Sequence, residues 1–197
     1  PTADEVRLML YDAGDGGHAY ETVAMSPAEN GTWTAKVEQD LKGKFYTFNV
    51  KIDGKWLGDT PGINAHAVGV NGKRAAIIDM RETDPEGWEE DQRPPLASPA
   101  DVIIYEVHHR DFSVDPSSGI KNKGKFLAMT ETGTVSPDKL ATGIDHLKEL
   151  GVTHVHILPS YDFNSIDESQ LPSNGYNWGY DPQNYNAPEG SYSTNPA

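Results

Sequence analysis

The chain has 197 residues, of which 36% are hydrophobic, enough for one large domain or two small ones. It carries 16 Lys and Arg against 30 Asp and Glu, a formal net charge of −14, which argues against nucleic acid or an anionic membrane as a partner. Cysteine is absent, which excludes disulfides, thiol catalysis and thiolate metal sites. No apolar run approaches the roughly 20 residues of a membrane-spanning helix.

Short alternating segments separated by tight-turn dipeptides fill residues 1–80. Val6, Leu8 and Leu10 fall on one face of the first segment. Dipeptides of this kind supply the positive φ angles of two-residue hairpins. The dipeptides are Asn30-Gly31, Asp53-Gly54 and Asn71-Gly72. The pattern predicts an all-β, immunoglobulin-like sandwich for residues 1–80.

The composition changes at residues 81–100, which contain four prolines and six acids and show almost no periodicity. This segment is predicted to be a linker that crosses the surface between two domains. Trp88 within it is expected to pack against a neighbouring domain rather than to contact a ligand.

A strand, helix, strand pattern follows. Apolar runs at 101–107 and 153–159 are typical of strands buried on both faces of a parallel sheet. Between them a helix is predicted, with Ser136 as its cap, Pro137 in its first turn and Gly151 at its end. Its apolar stripe consists of Leu140, Ile144, Leu147 and Leu150.

Long polar segments leave the carboxyl ends of both predicted strands, where parallel α/β folds build their active sites. A (β/α)8 barrel needs eight strands and about 250 residues. Residues 101–197 are therefore predicted to form the N-terminal part of such a barrel, about two β/α units, left incomplete.

Histidines and carboxylates are the first candidates for chemistry. His154 and His156 would point to one face of a strand. No third metal ligand follows at a spacing typical of metal sites, which favours structural roles for both. His108 and His109 are adjacent and are expected to point oppositely, so at most one would face a site. No metal ligands are therefore assigned, and no cofactor is expected to be required. A calcium site is possible, but no sequence pattern indicates one.

Paired carboxylates are the second candidate, because glycoside hydrolysis needs two of them on either side of the scissile bond. Asp111, Asp162 and Asp181 each lie just beyond a predicted strand end. Their spacing in sequence does not give their separation in space, and 30 acids place several in loops by chance. A catalytic pair within this chain is not expected.

The stretch "NGYNWGYDPQNYN", residues 174–186, mixes flat rings with directional polar groups. A sugar has an apolar C–H face and a hydroxyl rim, which such a mixture can bind. An aromatic loop can equally fasten a loop to its own domain, and the residues alone leave the two readings open. The rings are Tyr176, Trp178, Tyr180 and Tyr185, and the polar groups are Asn174, Asn177, Asp181 and Asn184.

Three strings resemble the start of the catalytic barrel of type I pullulanases, in the α-amylase superfamily (glycoside hydrolase family 13). They are "VIIYEVHHRDFS", "GVTHVHILPSYDF" and "YNWGYDPQNYNAPEGSYSTNP", and "YNWGYDP" is the signature of that group. The preceding "AVGVNGKRAAIID" and "DPEGWEEDQRPP" resemble the family 48 carbohydrate-binding-type module before such barrels.

The resemblance implies hydrolysis of α-1,6 branch linkages in pullulan, branched dextrins and amylopectin, with retention through a covalent intermediate. It implies that Tyr180 stacks on the sugar and that Asp181 and Asn177 shape the same subsite. Trp178 is counted with this substrate-binding group, although its ring is expected to pack inward. The catalytic carboxylates belong to later strands, so no catalytic residue is assigned in this chain.

Two alternatives stand beside the hydrolase. The N-terminal module could bind α-glucan without catalysis, with Trp33 and Trp56 as candidate rings, or it could only scaffold the barrel. The remaining strands are expected on a second polypeptide or a missing segment. The resemblance favours an extracellular or cell-envelope location.

Overall fold

A computed structural model describes residues 2–173 and 175–196. The N-terminal part is all β. Its largest sheet has five strands, in which β1 lies between β2 and β5, while β6 and β7 both pair with β5. A separate two-stranded hairpin joins β3 to β4. The strands are β1 (Glu5–Tyr11), β2 (Glu21–Ala24), β3 (Ser26–Pro27), β4 (Trp33–Thr34), β5 (Phe45–Ile52), β6 (Lys55–Trp56) and β7 (Ala75–Ala76).

Alternating side chains of β1 and β5 form the apolar face of this sheet. Leu8 is registered with Phe48 and Leu10 with Tyr46, and Leu10 is fully buried. Period-2 alternation places these side chains on one side of the sheet. Half-buried Trp33 lines the depression above them.

The three predicted turn dipeptides are confirmed. Both residues of each pair have positive φ; at the first positions the angle is 58° for Asn30, 51° for Asp53 and 57° for Asn71. Asn and Asp tolerate this left-handed region better than other residues with a side chain, which explains their choice. In the tightest case, Asp53 and Gly54 alone join β5 to β6.

Residues 81–100 run along the surface, and every one of them except half-buried Ser98 is exposed. Among the described residues Trp88 does not show the packing expected against a neighbouring domain, because its side chain is 58% exposed. Trp88 begins a short 3-10 turn, Trp88–Glu90, and most of its side chain meets no partner surface among the described residues.

The C-terminal part contains a parallel pair of strands joined through a helix, which confirms the predicted βαβ unit. Its elements are β8 (Ile104–Val107), α1 (Gly143–Glu149) and β9 (His154–Ile157), followed by an antiparallel pair, β10 (Tyr161–Phe163) and β11 (Pro182–Pro188). Helix α1 is the one α-helix in the described ranges. No described helix has the length and apolarity that a membrane span requires.

The predicted start of α1 is wrong. The segment from Val135 to Ala141 closes a small loop through a β-bridge between those two residues. Ser136 donates its backbone N–H to the carbonyl of Leu140 at 2.9 Å, and Lys139 adopts a φ of 62°, outside the right-handed helical region. Helical backbone therefore begins only after Thr142, although "SPDK" has the composition of a helix start.

The expected burial of the parallel strands on both faces is also wrong for the described residues. Val107 is buried, but all four residues of β9 are exposed, and so are Ile104 and Tyr105 on β8. Two strands and one seven-residue helix leave most of this small sheet open to solvent.

The turn at Asn71 and Gly72 joins the two parts of the chain. Asn71 contacts Asp167 and Glu168, in and next to a 3-10 turn. The Gly72 carbonyl accepts hydrogen bonds from Gln183 at 3.3 Å and from Asn184 at 3.1 Å, both on β11. The N-terminal sheet thus supports the β10–β11 hairpin directly.

Candidate functional site

The loop before β11 is organised around Asn177. Its Oδ1 accepts the backbone N–H of Gly179 at 2.5 Å, a local Asn turn of the kind that competes with regular structure. Its Nδ2 donates to Asp181 at 2.9 Å and also contacts the Ser165 hydroxyl. Ser165 in turn donates to Asp181 at 2.9 Å. One amide therefore sets the shape of the loop on both sides of Tyr180.

Gly179 is required by close packing. Its φ is 88°, and a Cβ atom at this position would lie 1.8 Å from the carbonyl oxygen of Pro159. No side chain fits such a gap, and L residues disfavour the angle. The loop therefore sits directly on the segment that follows β9.

The loop presents its rings outward. Trp178 and Tyr180 are each 64% exposed, and Tyr176 and Tyr185 are exposed as well. The expectation that Trp178 packs inward is therefore wrong. The reason is that Asn177 and Gly179, rather than the indole, anchor the turn. Asn174 lies outside the described residues.

Beneath the loop lies a buried aromatic cluster around Tyr192. The rings of His108, His109, Phe126 and Phe163 all have centroids within 5.9 Å of it. The expectation that His108 and His109 point oppositely is wrong, since both are buried against Tyr192. Strand β8 ends at Val107, so strand alternation no longer applies to them.

Burial sets the ionisation of this cluster. It lowers the pKa of His109, and the adjacent His108 lowers it further. Burial likewise raises the pKa of Tyr192, and the nearby Glu189 adds to the effect. Both groups are therefore neutral at pH 7, and within the described part of the chain His109 Nδ1 has no hydrogen-bond partner.

A second cluster contains three carboxylates, Asp162, Glu168 and Glu189, whose oxygens lie within 4.8 Å of one another. Burial raises the pKa of Asp162 to about 6 and that of Glu189 to about 7. Such a grouping could hold a metal ion, and the sequence spacing did not indicate it.

The chain's own donors already satisfy these carboxylates. Glu189 accepts the backbone N–H groups of Phe163 at 3.0 Å and Ser191 at 2.9 Å. Asp162 accepts the Asn184 amide at 2.6 Å. These bonds, with two raised pKa values, fit a proton-sharing structural cluster.

The remaining sequence candidates are His154, His156 and Asp111. His156 Nδ1 is 3.0 Å from Glu106, and His154 Nδ1 is 2.9 Å from the Thr153 hydroxyl; neither histidine belongs to a metal-type grouping among the described residues. Asp111 is exposed and paired with Arg110. These contacts agree with structural roles for both histidines.

The two candidate tryptophans of the N-terminal part are both half-buried. Trp33 lines the apolar depression over β1 and β5. Trp56 lies on β6 with the Arg7 guanidinium 3.8 Å from its ring centre. A cation over the ring occupies one face and stabilises the indole in place.

Sequence reasoning missed the groups that hold the loop from below. Tyr192 and Glu189 belong to "PEGSY", a string that carries no periodic signal. Asn71 was found only as a turn residue, although its amide also binds Asp167 at 3.0 Å. No rule of spacing links positions almost 100 residues apart, so these contacts were not predictable.

Exposed rings held beside a fixed amide and carboxylate are typical of carbohydrate-binding proteins, because sugars combine apolar faces with hydroxyl groups. No family model matches the chain. Several pullulanases do match it over its whole length, in sequence and in structure.

Pullulanase of Bacillus subtilis is 39% identical to this chain, covering 100% of it and 26% of the relative. The crystal structure of Paenibacillus barengoltzii pullulanase with maltohexaose and α-cyclodextrin has a TM-score of 0.96 and 54% identity, covering 100% of this chain and 30% of the other. Pullulanase from an Anoxybacillus species, complexed with maltotriose, has a TM-score of 0.90 and 38% identity, at 100% and 27% coverage.

Over its whole length, the chain is homologous to one portion of the pullulanases. It spans less than a third of the length of these relatives.

Proposed function

We propose that the chain belongs to a debranching glycoside hydrolase that cleaves α-1,6 linkages in pullulan, branched dextrins and amylopectin with retention. Within it, this chain contributes the N-terminal module and part of the substrate cleft. The catalytic carboxylates lie outside this chain. The observation that carries the proposal is the exposed Tyr180 ring, held between Asn177 and Asp181.

Tyr180 stacks on a glucose ring, and Asn177 and Asp181 shape the same subsite. Their mutual hydrogen bonds keep both polar groups fixed next to the ring, so little conformational entropy is lost on binding. Trp178 adds a second exposed face two residues away. Aromatic faces bind sugars of different length with similar geometry, which suits a cleft for glucan chains.

In the proposed architecture, residues 1–80 form an immunoglobulin-like carbohydrate-binding-type module and 81–100 a linker. Residues 101–197 form the first part of a (β/α)8 barrel, whose first parallel pair is β8 and β9. The exposed apolar side chains of these strands, Ile104 and Tyr105 among them, support this proposal, since a closed barrel would cover them. The covering strands belong to a further segment or a second polypeptide.

The test replaces Tyr180 with Ala and with Phe in the natural full-length protein. Tyr180→Ala should lower reducing-sugar release from pullulan by about 10- to 100-fold, because stacking is worth about 1 to 3 kcal/mol. Tyr180→Phe keeps the ring and should stay within about threefold. If Tyr180→Ala lowers the melting temperature clearly as well as the activity, the ring would instead serve to fasten the loop to its own domain.

The second candidate is a non-catalytic α-glucan-binding protein that uses the N-terminal module. Trp56 supports it, because its indole is only half-buried. Reducing-sugar release from pullulan separates the candidates: a purified protein that binds glucan in affinity electrophoresis and releases no sugar would favour the second.

A further inference from the structure

His108 lies below the loop that carries Tyr180. It directly follows β8 and is only 6% exposed. Its Nε2 is 2.8 Å from the backbone carbonyl of Asn177 and 3.0 Å from the hydroxyl of Tyr192. A single buried imidazole therefore joins the end of a parallel strand to the loop 69 residues later.

The contacts of His108 assign its tautomer. The backbone N–H of Asp111 points at Nδ1 at 3.4 Å, so Nδ1 acts as the acceptor. Nε2 then carries a proton and donates it to the Asn177 carbonyl. Tyr192, buried to 96%, lies against the same nitrogen and limits the movement of the ring.

The hydrogen bond reaches Tyr180 through Asn177. The carbonyl of Asn177 is held by His108, while its side chain holds Gly179 and Asp181. The two residues on either side of Tyr180 are thus fixed, while the Tyr180 ring itself is 64% exposed. Movement of the Asn177 carbonyl would shift this whole turn.

We propose that His108 is a positioning residue for glucan binding: its Nε2–H fixes the Asn177 carbonyl and so presents the Tyr180 ring to the sugar. This inference rests on the proposed function. Because the imidazole is buried and the bond is partly buried, loss of the bond leaves a carbonyl of limited solvent access without its partner, which is costly.

The adjacent histidine offers a matched control. His109 is equally buried and packs on the same Tyr192 ring, yet it makes no hydrogen bond to the loop within the described part of the chain. His108→Phe and His109→Phe therefore make the same change in the same cluster, and only the first removes the donor. His108→Gln restores a donor near the position of Nε2.

The experiment measures the dissociation constant of linear maltotetraose for the natural full-length protein by calorimetry. This probe has no α-1,6 bond to be cleaved. His108→Phe should weaken binding by about 5- to 30-fold, the effect of one partly buried hydrogen bond. His109→Phe should leave affinity within about twofold, and His108→Gln should recover most of the loss.

Equal affinities of His108→Phe and His109→Phe would overturn the inference, provided that Tyr180→Ala binds more weakly than the natural protein. If Tyr180→Ala binds as well as the natural protein, the proposed function fails by itself. Hydrogen exchange of the Gly179 amide then tests whether His108 anchors the Asn177 turn. Exchange faster by about tenfold in His108→Phe but not in His109→Phe would support this anchoring, and unchanged exchange would refute it.

Discussion

Asn71 and Glu168 exchange hydrogen bonds across the two parts of the chain. The backbone N–H of Asn71 donates to Glu168 Oε2 at 2.6 Å, and the backbone N–H of Glu168 donates to Asn71 Oδ1 at 2.8 Å. The Nδ2 of Asn71 also donates to Asp167, which helps to lower the pKa of that carboxyl to about 2, after the larger effect of Ser169. The nitrogen and the oxygen of the Asn71 side-chain amide are thus both hydrogen-bonded.

Asn71→Asp should lower the free energy of unfolding by about 1 to 3 kcal/mol, because it replaces a donor by a second carboxylate beside Asp167. Urea denaturation at pH 7 measures it. Asn30→Asp is the control, since Asn30 occupies the same kind of turn with a φ of 58° and is exposed. Equal effects of the two substitutions would contradict the role given to the Asn71 amide.

Gly72→Ala should destabilise much more than Gly54→Ala. Both glycines are second in a turn dipeptide with similar φ, 64° and 73°. A Cβ on Gly72 would lie 2.3 Å from Asp162 Oδ2, whereas one on Gly54 meets nothing within 4 Å. Gly54→Ala pays only the cost of the angle, about 1 kcal/mol.

The clash in Gly72→Ala should add about 1 to 3 kcal/mol to that cost. Thermal denaturation followed by circular dichroism compares the two variants. A melting temperature of Gly72→Ala equal to that of Gly54→Ala would show that the hairpin of β10 and β11 moves away at little cost.

Stability should fall as pH rises from about 5 to 8. Asp162 and Glu189 have folded pKa values of about 6 and about 7, raised by burial from 3.8 and 4.5. The folded state therefore binds more protons than the unfolded state in this range, and its advantage is lost as each group ionises. The ceiling is about 3 kcal/mol per group.

Asp162→Asn isolates this effect, because it removes one ionisation and keeps an oxygen that can accept from Asn184. His109 has a lowered pKa and acts with the opposite sign below about pH 6.5, but it does so equally in both proteins. Denaturation at four pH values should give a shallower decline for the variant. A rise of melting temperature with calcium chloride that disappears in Asp162→Asn would instead make the carboxylates metal ligands.

Trp178→Ala should change glucan affinity, whereas Trp56→Ala should change stability. Trp178 is exposed on the loop, so its loss should weaken maltotetraose binding and leave the melting temperature within about 2 °C, as for surface changes in general. Trp56 packs under Arg7, so its loss should lower the melting temperature and leave affinity unchanged. Weaker binding in Trp56→Ala alone would favour glucan binding by the N-terminal module.

Local rules determined a large part of this molecule. The turn dipeptides predicted the hairpins, because tolerance of a positive φ is a property of single residues. The apolar runs predicted β8 and β9 as a parallel pair. Composition excluded thiol chemistry. The aromatic string marked the loop, and its likeness to pullulanases extends over the whole chain.

Tertiary structure decided what lies beneath and beside that loop. Helix α1 starts late because residues 134–142 pair with one another, and His108 and His109 converge because Tyr192 packs between elements distant in sequence. Contacts over such separations follow from packing and burial, which no local spacing encodes. The sequence by itself thus determined the rings of the candidate sugar platform, and only the folded chain decided that Asn177, Gly179 and His108 hold them.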